Sequence, residues 1–110
     1  MPGQTMAHSF AYTHYDLDIQ RAGTVIEITL SAIANVRLMS HGNFDLFKNA
    51  RPHKFLGGVA KQSPIRLKIP DNGHWHAVVD MEGHPGKAES SIRVIPAAPQ
   101  KPMQRFSAAS

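Results

Sequence analysis

Residues 63–86 read SPIRLKIPDNGHWHAVVDMEGHPG, and the fold follows from how this stretch alternates. Ile65, Leu67 and Ile69 alternate with Arg66 and Lys68; further on, Trp75, Ala77 and Val79 alternate with His74, His76 and Asp80. Successive side chains of a strand point to opposite faces, so each segment has one apolar and one polar face. That is the habit of antiparallel sheets with one face packed and one wet. Between the two segments, Pro70-Asp71-Asn72-Gly73 reads as a turn. Proline presets φ, Asp and Asn bond their own backbone, and glycine accepts positive φ. Pro64 opens one strand and Pro70 closes it, where a missing N–H removes no ladder bond.

The same period runs outward in both directions. Tyr15, Leu17 and Ile19 alternate with Asp16, Asp18 and Gln20; Ile26, Ile28 and Leu30 with Glu27 and Thr29; Ala34, Val36 and Leu38 with Asn35 and Arg37. Downstream, Ala88, Ser90, Ile92 and Val94 alternate with Glu89, Ser91 and Arg93. Lys54 to Ala60 is a shorter strand whose Gly57-Gly58 pair implies a bulge or a close backbone approach. Arg21-Ala22-Gly23 and Glu82-Gly83-His84-Pro85-Gly86 supply further turns. About seven short strands predict an all-β domain, a small antiparallel β-sandwich or partly open barrel, with an SH3-like or OB-like barrel as the alternative topology. One segment breaks the period. Asn43 to Ala50 predicts a short helix over one end of the sheet, with Asn43 as cap, Asp45 in the first turn, Lys48 and Arg51 near the last, and Pro52 as the stop.

A chain of 110 residues with 42% hydrophobic content has the size and the core of one domain. Residues 1–95 are expected to form it, and 96–110, rich in proline and alanine, to be a disordered tail. Cysteine is absent, which excludes disulfides, thiolate metal sites and a cysteine nucleophile, and fits a reducing compartment. Met1 to Ser9 lacks the basic and apolar regions of a signal peptide, and no apolar run approaches the roughly 20 residues of a membrane helix. A soluble cytoplasmic protein without membrane contact is the expectation.

The formal charge of +4 is uneven. Residues 46–70 carry Lys48, Arg51, Lys54, Lys61, Arg66 and Lys68 and no acid, whereas the windows on either side are net acidic. With Phe55 among them, these residues are candidates for binding a polyanion or nucleic acid. The alternative is a solvated basic face; the RNA-binding sheet motifs and a row of stacking rings are missing.

Gly57-Gly58, Ser63-Pro64, Ile69-Pro70, Gly73-His74-Trp75 and Val78-Val79-Asp80, with the earlier Asn35-Val36-Arg37-Leu38-Met39, resemble the bacterial family catalogued as domain of unknown function 1883. The resemblance covers roughly Tyr12 to Ile95. It implies a small bacterial domain, alone or joined to a Toll/interleukin-receptor-type signalling domain, with no established activity and no catalytic residues to carry over. Asparagine is common in that family where His76 stands, so the resemblance implies that a histidine-specific role is not family-wide. The tail from Pro96 looks like an extension particular to this chain.

Two histidines spaced by one residue on a strand share a face, so His74 and His76 are candidate metal ligands, with His84 just beyond the strand as the third. His41 and His53 are equally eligible neighbours, and Asp80 is a candidate for orienting a ligand. The competing reading leaves His74 and His76 solvated opposite a core Trp75. Zinc is the one cofactor this pattern suggests. Asp16 and Asp18 read as charges guarding an exposed edge strand. Gly57-Gly58 lacks the spacing and lysine of a phosphate loop, and G-x-S-x-G does not occur, so no catalytic residues are assigned. The leading expectation is a non-catalytic binding or protein-interaction module. Self-association as a homodimer, or a protein partner, would use an exposed strand edge or the Phe44–Phe47 segment.

Overall fold

The computed structural model describes residues 12–81 and 88–97. Among these, seven strands and one helix run in the order β1 (Tyr12–Gln20), β2 (Val25–Leu30), β3 (Ala34–Ser40), α1 (His41–Lys48), β4 (Leu56–Ala60), β5 (Ile65–Lys68), β6 (Gly73–Asp80) and β7 (Ser90–Ile95). The Glu82–Gly86 turn and residues 98–110 of the expected tail lie outside the described residues.

A four-stranded sheet has the order β1-β6-β3-β4 and a three-stranded sheet the order β5-β2-β7, every pair antiparallel. The two do not close into a barrel, so the sandwich is the form realised. Ile26, Ile28 and Leu30 of the smaller sheet meet Val36, Leu38, Trp75, Ala77 and Val79 of the larger. Each fully buried aliphatic side chain contributes about 1.5–3 kcal/mol, so this layer is the main stabilising term. Tyr15 ties the sheets along one side: its hydroxyl donates to the Ser90 carbonyl at 3.0 Å and lies 2.7 Å from Ser90 Oγ.

The outer face of the larger sheet is also covered. Helix α1 lays Phe44 and Phe47 on Met39 and Val78, with Tyr12 at the margin. Every residue of β3 from Ala34 to Met39 is therefore buried, polar and apolar alike. Phe44 and Phe47 are core residues and not an exposed interface. The helix begins two residues earlier than the sequence suggests. β3 runs straight into it, and Ser40 caps it, accepting from the Asn43 backbone N–H at 3.4 Å. Asn43 instead links the helix to the strand that follows: its Nδ2 donates to Ser40 Oγ at 2.9 Å, and its Oδ1 accepts from the Lys54 N–H at 2.9 Å.

The first strand carries a second departure. Asp16 pairs with His76 and Ile19 with His74, so one extra residue sits in β1. Asp18 takes φ 59°, and its N–H donates to Asp16 Oδ1 at 2.9 Å. This bulge ends the alternation and turns Ile19 outward, 72% exposed, where the simple period predicts it inside. At Gly57-Gly58 the expected close approach is present: both take positive φ, and a Cβ on Gly57 would overlap the Val36 carbonyl oxygen.

Candidate metal centre

The outer face that α1 half covers gathers four histidines. His74 and His76 project from β6 on the side away from Trp75, as their spacing predicts. Across the ladder, His76 faces Asp16 of β1 on one side and Met39 of β3 on the other. His14 comes from the same face of β1, and His41 from the first position of α1.

His76 is the centre of the group and only 2% exposed. Its Nδ1 lies 2.8 Å from His14 Nε2 and its Nε2 2.9 Å from His41 Nδ1. A neutral imidazole has one N–H and one lone pair, so the three rings form a directional chain in which His76 donates at one nitrogen and accepts at the other. Phe44 stacks on His76 with centroids 4.4 Å apart and on His14 at 4.2 Å. Burial pushes the His76 pKa down to about 4; Asp16 opposes this, and His14, His74 and His41 add to it. Burial also lowers His14. His74 stacks on His41 and on His76, each at 4.6 Å, and its Nε2 lies 2.7 Å from Asp16 Oδ1. The Asp18 N–H, and after it His74, hold the Asp16 carboxyl at about 2.

His41, His74 and His76 each offer a ring nitrogen within 4.8 Å of the others. A tetrahedral zinc ion with nitrogens at 2.0–2.1 Å sets them about 3.3 Å apart, so the three rings are a group that could hold a metal ion. His14 behind His76 and Asp16 behind His74 are the kind of hydrogen-bond partners that orient such ligands. Asp16, Asp18 and His74 form a second, more exposed convergence at the bulge. On the solvent side His41 and His74 border an open cleft of about 460 Å³ shared with Ser40, Asn72 and Gly73.

The profile described as a domain of unknown function, DUF1883, matches residues 10–98. The chain belongs to the DUF1883 family. No curated protein and no solved structure matches it.

In this DUF1883 domain, two of the three ligands expected from sequence converge, and His41 joins them; His84 lies outside the described residues. The sequence offered His41 and His53 equally as neighbours, and the choice between them depends on how α1 crosses β6, which spacing along the chain does not encode. His14 was missed because β1 and β6 meet only through the sheet order. His53 lies elsewhere, edge-on to Phe47 at 5.3 Å. Asp80 is buried in an ion pair with Arg37, Oδ2 to Nη1 at 2.9 Å. The Arg37 guanidinium also stacks over Phe47 and Phe55, 5.3 Å from each ring centre.

The basic residues of the 46–70 window are divided among different surfaces. Lys48 is on α1, 5.3 Å above Phe44 and 3.5 Å from Asp45. Arg66 and Lys68 are on β5 of the other sheet, where Glu27 takes Arg66 at 2.8 Å and Arg93 at 3.0 Å and is itself held below the usual carboxylate range, chiefly by Arg93. Arg51, Lys54 and Lys61 are exposed around β4. Trp75 belongs to the core. Among the described residues no helix is long and apolar enough to cross a membrane.

Proposed function

We propose that this DUF1883 domain is a small non-catalytic binding module whose ligand is a divalent transition-metal ion held by His41, His74 and His76. The observation that carries this reading is the convergence of three imidazole nitrogens within 4.8 Å, contributed by a strand and by the helix that covers it. An all-nitrogen set with no thiolate suits zinc, copper or nickel and does not suit the oxygen-seeking calcium and magnesium. The hydroxyl of Ser40, beside the cleft, is engaged in capping α1, so it is a poor nucleophile candidate. The cytoplasm is the compartment we propose for this module, a reading supported by the cysteine-free composition.

The test is a zinc titration of the chelator-stripped full chain by calorimetry and thermal melting. One saturating equivalent is expected, with stabilisation of about 2.7 kcal/mol when free zinc is 100 times Kd. His41 is exposed and His74 half-buried, so the His41→Ala, His74→Ala double variant should fold as the parent does and lose saturable binding. A parent melting curve indifferent to zinc, or undiminished binding by the double variant, defeats the reading. A His84→Ala variant asks separately whether that residue supplies a fourth ligand.

A further inference from the structure

Edge strand β4 takes no part in the histidine cluster. It closes the four-stranded sheet, with β3 on one side. Phe55, Leu56 and Val59 are 42%, 41% and 62% exposed there. Between them Gly57 and Gly58 present bare backbone, and nothing lies within 4 Å of where a Cβ would stand on Gly58. Beside the start of the strand is a cavity of about 170 Å³ walled by Leu38, Phe55, Leu56, Pro70 and Trp75. An accessible sheet edge next to a pocket for one side chain is how sheets capture extended peptides: main-chain bonds supply affinity and the pocket supplies selectivity.

Charge selects the occupant. Lys54 precedes the strand and Lys61 follows it, both exposed, and residues 46–70 contain no acid. A second copy of the same edge would set lysine against lysine, which is unfavourable across a strand pair. An acidic strand meets opposite charge at both ends. We propose that β4 is a docking edge for an extended acidic segment of a partner protein, with an apolar side chain of that segment in the cavity beside Leu38 and Trp75 and its carboxylates bracketed by Lys54 and Lys61. The proposal stands apart from the metal reading, and its test is run in chelator so that the two fail separately.

The experiment selects phage-displayed random peptides on the full chain and maps the enriched peptides by amide chemical shifts. Enriched sequences should carry Asp or Glu on both sides of an apolar residue, perturb residues 54–61, and bind more weakly as salt rises. The Lys54→Glu, Lys61→Glu variant should lose affinity on the order of tenfold and select basic-flanked peptides instead. Val59→Glu, which leaves both lysines in place, should weaken the parent peptides as well; melts establish that both variants are folded. Four results overturn the proposal: no enrichment, enrichment without acidic bias, shifts away from β4, or affinity indifferent to charge reversal. A concentration-dependent dimer of the chain alone that buries β4 also overturns it, since the occupant is then a second copy.

Discussion

His76 is held neutral inside a ring of its own kind, and this has a consequence for acid stability. Its pKa is about 4 in the folded chain against an ordinary 6.5, so between those values the unfolded chain binds more protons. The contribution of neutral His76 is therefore intact above about pH 6.5 and is lost as pH falls toward 4. Asp16, at about 2, acts with the same sign but in a lower window: its contribution is present above its ordinary value of 3.8 and is lost as pH falls through 2. Denaturant midpoints of the chelator-treated protein at pH 7 and 4.5 should differ accordingly, and His76→Asn should flatten the difference. An equally steep profile in that variant would remove His76 as the cause. Asp80 is the other residue whose burial matters. Asp80→Ala leaves the Arg37 guanidinium among aromatic rings without its carboxylate and should destabilise by about 3–5 kcal/mol in equilibrium unfolding.

Among the elements, α1 decides what the outer face of the larger sheet is. Phe47 is 1% exposed and is the helix's main anchor on Met39 and Val78. Phe47→Ala should cost about 3–5 kcal/mol in denaturant unfolding, and the zinc binding proposed above should weaken with it because His41 rides on the same helix. The helix also explains which features could be read in advance. Period-two alternation located six of the seven strands among the described residues, because it follows from which side faces the core, while β4 was read as a short strand around its glycine pair. It assigned the opposite side of β3 and β6 to water, and there Asn35, Arg37, His76 and Asp80 are buried instead. A covering helix leaves no trace in the period of the strand beneath it. Ile19 escaped for a related reason, since a bulge one residue long shifts the face of everything after it. The paired glycines were legible because only glycine tolerates that approach. Gly57→Ala should destabilise by about 1–3 kcal/mol, measured by thermal melting, from positive φ and from contact with the Val36 carbonyl.

Across the whole molecule, two sheets are held by a common core and by a few ties at their margins. The Tyr15 hydroxyl is one such tie, joining β1 of one sheet to β7 of the other through Ser90. Tyr15→Phe should lower stability by about 1 kcal/mol, a drop of roughly 4–8 °C in Tm for a domain of this size. The charge asymmetry was visible along the chain, but its division between two sheets was not, because strand order determines which lysines become neighbours. The junction at Ser40 and His41, where strand becomes helix with no loop between, bears on the heat of any binding event at the cluster. His41 is carried there by continuous ladder and helix, and His74 and His76 by a central strand, so a cation would order little new chain and bury little new surface. Its calorimetric signature should accordingly be a heat-capacity change close to zero, unlike the large negative one of a site that folds around its ion.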